Sequence, residues 1–165
     1  QAARIQGGIY GPAIEDALRD GPFTMRHYMQ AYRCSTLGGW IATRSGGHYA
    51  TLYTHIDDFV ESTRVVTPAG PSPDRLFIGS EGILGIITEA WVRLRKKPTF
   101  RASASVRFKD FHAGADAVRD ITQAGLYPAN CRLLEAREAL PGIPWSNEEA
   151  VLVLAFESAD HPLDA

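Results

Sequence analysis

Two glycine-bearing segments in the first half of the chain have residue types that could hold a ligand. They span residues 35–47 and 79–85. Glycine lets backbone N–H groups converge on one concavity, and such a concavity suits a phosphate or the edge of a flat heteroaromatic ring. The first segment also carries hydroxyl groups and one cation, on Ser35, Thr36, Thr43, Ser45 and Arg44. Together these groups suit an anionic or carbonyl-rich ligand.

The spacing of these glycines excludes two common nucleotide sites. Neither G-x-G-x-x-G nor a glycine–lysine–serine/threonine loop is present, so the dinucleotide fingerprint and the P-loop are both absent. Glycines at turns between strands are also commonplace without any ligand. For Arg44, a surface ion pair with Asp57 or Glu61 is an equal alternative to ligand contact.

The surrounding elements must position these segments. Residues 11–18 predict a short amphipathic helix, and residues 59–67 predict a strand that ends at a turn. Residues 86–95 alternate with period two, which predicts a strand with one wetter face. Glycines at both ends of 35–47 argue against an ordinary helix or strand there.

The pattern changes after Pro98, so we place a domain boundary near residues 97–101. Asp110 is a candidate cap for a helix that Gly125 would end. Three strands and one loop complete this part, predicted over 101–108, 130–136, 150–157 and, for the loop, 141–149. The order strand, helix, strand, strand is typical of a ferredoxin-like unit, so the fold class is α+β.

The amino-acid composition and net charge argue against some kinds of binding partner. The chain has 165 residues, is 45% hydrophobic and has a formal net charge of -2. This charge does not favour nucleic acid, and no apolar run approaches the roughly 20 residues of a membrane span. No signal peptide is recognisable. Cys34 and Cys131 are far apart and form no C-x-x-C pair, so we expect reduced thiols in a cytoplasmic protein.

The order of four longer segments resembles a known superfamily. Residues 35–44, 55–60, 65–70 and 77–90 are similar to the FAD domain of the vanillyl-alcohol-oxidase superfamily. The resemblance covers most of residues 5–97. It implies that residues 1–98 are the C-terminal part of an FAD-binding domain, its second subdomain. Residues 99–165 would then begin a ferredoxin-like substrate or cap domain.

The run Ser-Thr-Leu-Gly-Gly-Trp-Ile and Arg132 resemble the alkyldihydroxyacetonephosphate synthases and their bacterial relatives most. This implies flavin-mediated chemistry on a small or lipid-linked anionic substrate, and it leaves a homodimer open. The FAD-linked 2-hydroxyacid (lactate or glycolate) dehydrogenases share the Ser-Glu-Gly-x-Leu-Gly signature and remain an alternative. Met29, Ala31 and Arg33 depart from the family pattern, so a flavin-free interaction module is an alternative of another class.

The resemblance also implies which residues hold the cofactor. The first set comprises Gln30, Ala31, Tyr32, Arg33, Cys34, Ser35, Thr36, Gly38 and Gly39. The second comprises Thr43, Arg44, Ser45 and Gly46, and the third Glu81, Gly82, Ile83, Leu84, Gly85, Ile86 and Ile87. Arg132 is the implied anchor for an anionic substrate, because a guanidinium grips phosphate or carboxylate with two parallel hydrogen bonds. We expect the Glu81 carboxylate to cap nearby backbone N–H groups.

No catalytic residue is expected within the chain. The family's pyrophosphate loop and its catalytic tyrosine and histidines are expected outside residues 1–165, so the chain by itself is expected to be inactive. The five histidines have no metal-ligand spacing and are poor catalytic candidates, namely His27, His48, His55, His112 and His161. No metal site is therefore predicted.

Overall fold

The chain divides between Lys97 and Pro98 into two units. The computed structural model describes residues 1–68, 70–73, 75–135, 138 and 149–163. The predicted loop 141–149, except its last residue, and Ala136 at the end of a predicted strand lie outside the described residues.

A four-stranded antiparallel sheet, accompanied by four short helices and a two-stranded ribbon, forms the first unit. The strands are β1 (Ala2–Gln6), β2 (Phe23–Thr24), β3 (Val60–Thr67), β4 (Gly70–Pro73), β5 (Ile86–Arg93) and β6 (Arg95–Lys96). The helices are α1 (Gly11–Ala17), α2 (Leu37–Ala42), α3 (Ala50–Tyr53) and α4 (Ile56–Phe59). The sheet order is β1-β5-β3-β4, and β2 pairs with β6.

The core of this unit lies between the sheet and α2, which packs against β5. Strand residues Val65, Ala90 and Val92 have no exposed surface, and neither do Leu37 and Ile41 of α2. This burial anchors α2, so the short glycine-rich helix has a fixed position relative to β5.

The helix α2 contradicts the expectation drawn from its glycines. Thr36 caps the helix by accepting the N–H of Gly39. Gly38 donates its N–H to the carbonyl of Gly7 at 2.7 Å, and a Cβ on Gly38 would lie only 3.0 Å from that oxygen. Each glycine lowers helix stability by about 1 kcal/mol relative to alanine, but burial of Leu37 and Ile41 offsets that loss.

The predicted strand 86–95 is divided between two sheets. Strand β5 ends at Arg93, and Leu94 donates its N–H to the carbonyl of Gln1 at 2.9 Å. Arg95 then pairs with Thr24 in the small ribbon. One stretch of alternating apolar and polar residues thus contributes strands to two sheets, and the two-residue periodicity of the sequence does not show where it divides.

The second unit has the predicted order of strand, helix, strand and strand. Its elements are β7 (Phe100–Phe108), α5 (Phe111–Gln123), β8 (Asn130–Glu135) and β9 (Ala150–Ser158), and the sheet order is β7-β9-β8. Asp110 caps α5 by accepting the N–H of Ala113 at 2.7 Å, and Gly125 follows at a φ of +69°. The α+β fold class is confirmed.

Candidate functional site

A concavity of about 440 Å³ lies where the turn after β1, helix α2 and the loop before β5 meet. Its lining consists of Gly7, Gly8, Thr36, Gly38, Gly39, Ala42, Gly82, Gly85, Ile86 and Ile87. Seven of these residues belong to the predicted cofactor-binding sets, and no charged side chain belongs to the lining. We call this concavity the glycine cradle.

Backbone atoms form the floor of the glycine cradle. Gly7 donates its N–H to the carbonyl of Thr88 at 2.7 Å and accepts the N–H of Gly38 at 2.7 Å. A Cβ on Gly7 would overlap the carbonyl oxygen of Ile87. A Cβ on Gly8, by contrast, would meet no atom within 4 Å. The floor is therefore closed beneath Gly7 and open above Gly8.

The loop 79–85 forms one wall of the glycine cradle. Gly79 and Glu81 donate their N–H groups to the carbonyls of Ile41 and Ala42, each at 2.9 Å, so the loop is fixed to the C-terminal end of α2. The backbone has a positive φ at four positions, Gly79, Glu81, Gly82 and Gly85. A Cβ on Gly85 would also lie 2.6 Å from the carbonyl oxygen of Val66. The glycines are thus required by the path of the chain.

The segment before α2, which belongs to the first predicted set, is held by hydrogen bonds within itself and to α1 and α2. The indole of Trp40 donates to the Ser35 hydroxyl at 2.7 Å, and that hydroxyl donates to the carbonyl of Ala31 at 2.7 Å. The Tyr32 hydroxyl donates to the carbonyl of Gly11 at 2.7 Å. Burial and the nearby Glu15 raise the pKa of Tyr32, so this phenol stays a protonated donor.

The second predicted set lies on the far end of α2. The Thr43 hydroxyl donates to the carbonyl of Gly39 at 3.0 Å. Arg44 forms an ion pair with Asp57, with 2.8 Å between Nε and Oδ2. This is the ion pair that the sequence offered as the alternative for Arg44. The hydroxyl of Ser45 lies 2.9 Å from Nε2 of His27.

His27 is a buried histidine that contacts Ser45 of the second predicted set and the ring of Trp40 in α2. Its side chain is 2% exposed and lies against the rings of Trp40 and Phe59, with centroids 5.6 and 5.5 Å away. Burial, with a smaller contribution from His55, lowers the pKa of His27 to about 4. His27 is therefore neutral at physiological pH and bonds Ser45 as an uncharged ring.

The structure brings only part of the predicted site into the cradle lining. The residues that line it are Thr36, Gly38, Gly39, Gly82, Gly85, Ile86 and Ile87. Those outside the lining are Gln30, Ala31, Tyr32, Arg33, Cys34, Ser35, Thr43, Arg44, Ser45, Gly46, Glu81, Ile83 and Leu84. The predicted cap by Glu81 was wrong. Its carboxylate is exposed and accepts no backbone N–H from the part of the chain that the structure describes.

Sequence reasoning missed three lining residues, Gly7, Gly8 and Ala42. A signal for the first two existed. Gly7-Gly8 stands between a strand and the helix that begins at Gly11-Pro12, and a strand–glycine–helix order often places backbone N–H groups at a ligand. For Ala42 we see no such signal.

Arg132 lies on the open face of the sheet in the second unit. Its chain neighbour Leu133 packs against Gly114 of α5, so Arg132 points to the face opposite that helix. The other two arginines on this face, Arg101 and Arg107, form ion pairs with Glu157 and Glu149. Arg132 is exposed and forms no ion pair with any residue that the structure describes.

Two further searches are limited to the described residues. Among them, no group of three or more histidine, cysteine, aspartate or glutamate side chains could hold a metal ion. No helix within the described ranges is long and apolar enough to cross a membrane.

Comparisons with known proteins identify the family. A model described as "FAD binding domain" matches residues 1–71, and one described as "FAD linked oxidases, C-terminal domain" matches residues 97–164. An alkyldihydroxyacetonephosphate synthase of Trypanosoma brucei brucei is 34% identical over 81% of this chain and 24% of its own length. A glycolate oxidase subunit of Bacillus subtilis is 32% identical over 73% of this chain and 30% of its own. A solved structure of alkyldihydroxyacetonephosphate synthase superposes with a TM-score of 0.88 and 29% identity, over 98% of this chain and 35% of that one.

The chain belongs to the FAD-linked oxidases, a family of flavoenzymes with the vanillyl-alcohol-oxidase type of fold. It spans about a quarter to a third of the length of the relatives that it matches. FAD is the cofactor named for both matched domains. The glycine cradle fits a flat, uncharged part of FAD, because its floor is backbone and the space above Gly8 is open.

Proposed function

We propose that the protein carrying this chain is an FAD-dependent enzyme similar to alkyldihydroxyacetonephosphate synthase, acting on a small or lipid-linked anionic substrate. The observation that carries this proposal is the uncharged glycine cradle, whose backbone floor leaves open space above Gly8. The bound flavin would supply the redox-active ring, and the protein would orient the ring and the substrate.

The cofactor residues that we propose are ordered by whether they line the cradle. Thr36, Gly38 and Gly39 would contact FAD from α2, and residues 82–87 from the opposite wall, since most of these line the cradle. Residues 30–35 and 43–46 flank α2 at its two ends and would add contacts at the margins. Because the lining has no cation, we assign the cradle an uncharged part of FAD and leave the pyrophosphate to other residues.

The proposed domain organisation follows the two family matches. Residues 1–98 would be the C-terminal part of the FAD-binding domain, and residues 99–165 the beginning of the substrate domain. In the substrate domain we propose Arg132 as the anchor for an anionic group. Its exposed guanidinium has no carboxylate partner among the described residues, so it could bind a phosphate or carboxylate without first breaking an ion pair.

An FAD-linked 2-hydroxyacid dehydrogenase is the second candidate. The match to a glycolate oxidase subunit favours it. The flavin-free interaction module gains no support from the comparisons, because both matched family models are described by their link to FAD.

We also propose a cellular compartment and an oligomeric state for the protein. Cys34 and Cys131 are both free thiols, which supports a reducing compartment such as the cytoplasm. A homodimer stays a prediction, to be tested by the molar mass of the purified protein in solution.

The test is a visible absorption spectrum of the purified protein reconstituted with FAD, before and after anaerobic addition of substrate. We expect a bound-flavin spectrum that an acyl-dihydroxyacetone phosphate perturbs and that lactate and glycolate leave unchanged. Bleaching by lactate or glycolate would replace the first candidate by the second. A protein that takes up no FAD would contradict both.

A further inference from the structure

Arg44 occupies an unusual position at the end of α2. Its backbone has a φ of +54°, which is rare for a residue with a side chain. The Nε atom lies 2.8 Å from Oδ2 of Asp57, which belongs to α4. A residue held in this backbone conformation by a specific partner is a candidate for a dedicated role.

The stem of the Arg44 side chain lies across Gly79. A Cβ on Gly79 would be 2.9 Å from Cδ and 3.0 Å from Cγ of Arg44, so no side chain fits between them. Gly79 also begins the loop 79–85, and its N–H bonds the carbonyl of Ile41 just beneath this contact. The arginine stem therefore covers the point at which the cradle wall is attached to α2.

Asp57 is placed to hold Arg44 in that position. Its main-chain carbonyl accepts a hydrogen bond from Arg75 at 2.5 Å, which ties the aspartate to the turn that precedes the loop. Its second carboxylate oxygen, Oδ1, is buried and has no hydrogen-bond partner in the described part of the structure. The ion pair with Arg44 therefore compensates the negative charge of the Asp57 carboxylate.

We propose that Arg44 is a positioning residue, whose ion pair with Asp57 clamps the loop 79–85 onto the end of α2. The guanidinium acts through the loop and does not bind the phosphates of the cofactor. This inference rests on the proposed FAD site, because it explains how one wall of the glycine cradle keeps its place. The Arg44 side chain is 64% exposed, and exposed ion pairs contribute little to global stability. The clamp should therefore act locally.

Amide hydrogen exchange at Gly79 and Glu81 tests the clamp directly. Both N–H groups bond carbonyls of α2, so opening of the loop exposes them to exchange. Arg44→Met keeps most of the stem and removes the charge, and Asp57→Asn removes the partner charge. We expect each variant to accelerate exchange at both amides about threefold to tenfold, the range of one polar contact. The double variant should add nothing further, because the two residues act as one unit.

A matched control is available in the same unit. Arg93 forms an exposed ion pair with Glu61 on the sheet. Arg93→Met removes a comparable pair, and exchange at Gly79 and Glu81 should not change. Unchanged exchange in Arg44→Met and Asp57→Asn would overturn the clamp.

Affinity for flavins separates a clamp from a direct ligand. In Arg44→Met, a clamp weakens the binding of FAD and of riboflavin by the same factor, and Asp57→Asn does likewise. An arginine that binds the cofactor phosphates would weaken FAD alone, and Asp57→Asn would not reproduce its effect. That result would overturn the inference. If the unaltered protein binds no FAD, the proposed function fails, while the exchange experiment still decides whether the clamp exists.

Discussion

Arg44 and Arg132 are both exposed arginines, and the charges around them distinguish their roles. Arg44 is paired with Asp57. Arg132 lies on β8, across the sheet from the two ion-paired arginines of β7, and has no ion-pair partner in the described ranges. A cation without a partner is available for a ligand, whereas a paired one must first lose its partner.

Replacing Arg132 tests its availability for substrate. We expect Arg132→Ala to lower kcat/KM for an anionic substrate about 10-fold to 100-fold, the range for a hydrogen bond to a charged group. Bound flavin should stay at the level of the unaltered protein. The kinetics of the FAD-loaded protein, with its flavin content from absorbance, measure both effects.

Arg119→Ala is the control, because Arg119 is also exposed, at 59% of its side chain, and pairs with Asp116 and Asp120 on its own helix α5. It should leave turnover unchanged. Equal losses in both variants would show that Arg132 acts through general charge and not as an anchor.

At the scale of elements, the glycine cradle depends on a close meeting of three backbones. The turn after β1, helix α2 and strand β5 are joined at Gly7, which bonds both Thr88 and Gly38 at 2.7 Å. Neighbouring Gly8 takes part in no such contact and faces open space. Gly7 thus lacks a side chain because the backbones pack closely there, whereas the absence of a side chain at Gly8 keeps the cradle open to a ligand.

Alanine at each position separates the two reasons. Gly7→Ala should lower the free energy of unfolding by about 2 kcal/mol, because its methyl group overlaps the Ile87 carbonyl and the backbones must separate. Gly8→Ala should change it by less than about 0.5 kcal/mol. Urea unfolding of both variants gives the comparison. Equal stability of the two would mean that the backbones do not meet at Gly7.

The elements that could be predicted from the sequence are those specified locally. Alternation predicted β5 and β7. Asp110 and Gly125 predicted the limits of α5, because the cap and the left-handed residue directly flank the helix in sequence. Helix α2 was missed, since its Gly38 is required by contact with Gly7, a residue 31 positions away. The division of one alternating run at Leu94 likewise depends on Gln1.

For the candidate site, too, the sequence predicted the parts that local residue spacing specifies and missed those that depend on tertiary contacts. Glycine spacing indicated both walls, and resemblance supplied the cofactor. The buried hydrogen bond between His27 and Ser45 depends on a tertiary contact, so residue spacing could not indicate it. Gly7 and Gly8 lie outside the two glycine segments, and only their place between a strand and a helix could have indicated them. Arg44 was left between two alternatives because only the fold brings Asp57 within 2.8 Å of it.

At the scale of the whole molecule, the buried His27 makes stability depend on pH. The pKa of His27 is about 4 in the folded protein, against 6.5 in the unfolded chain. Above pH 6.5 both states hold a neutral ring and His27 has no effect. As the pH falls from 6.5 to 4, His27 binds a proton in the unfolded chain but stays largely unprotonated in the folded protein. The folded state therefore loses about 3 kcal/mol over this range.

Urea unfolding at pH 7.5 and pH 4.5 measures this loss. His27→Gln keeps a hydrogen-bonding group near Ser45 and cannot titrate, so its stability should fall much less between the two values. His112→Gln, at an exposed position of α5, is the control and should keep the full dependence. An unaltered pH dependence in His27→Gln would assign the acid sensitivity to other groups.

The central claim is that the glycine cradle holds FAD, and titration of FAD into Gly8→Leu tests it most directly. A Cβ on Gly8 would meet no atom within 4 Å, and the space beyond it is open cradle. The free energy of unfolding should therefore stay within about 0.5 kcal/mol of the original. The leucine should nevertheless weaken FAD binding at least tenfold, while Gly21→Leu, at an exposed glycine outside the cradle, should leave it unchanged. Full FAD affinity in a folded Gly8→Leu protein would show that the cofactor does not occupy the cradle.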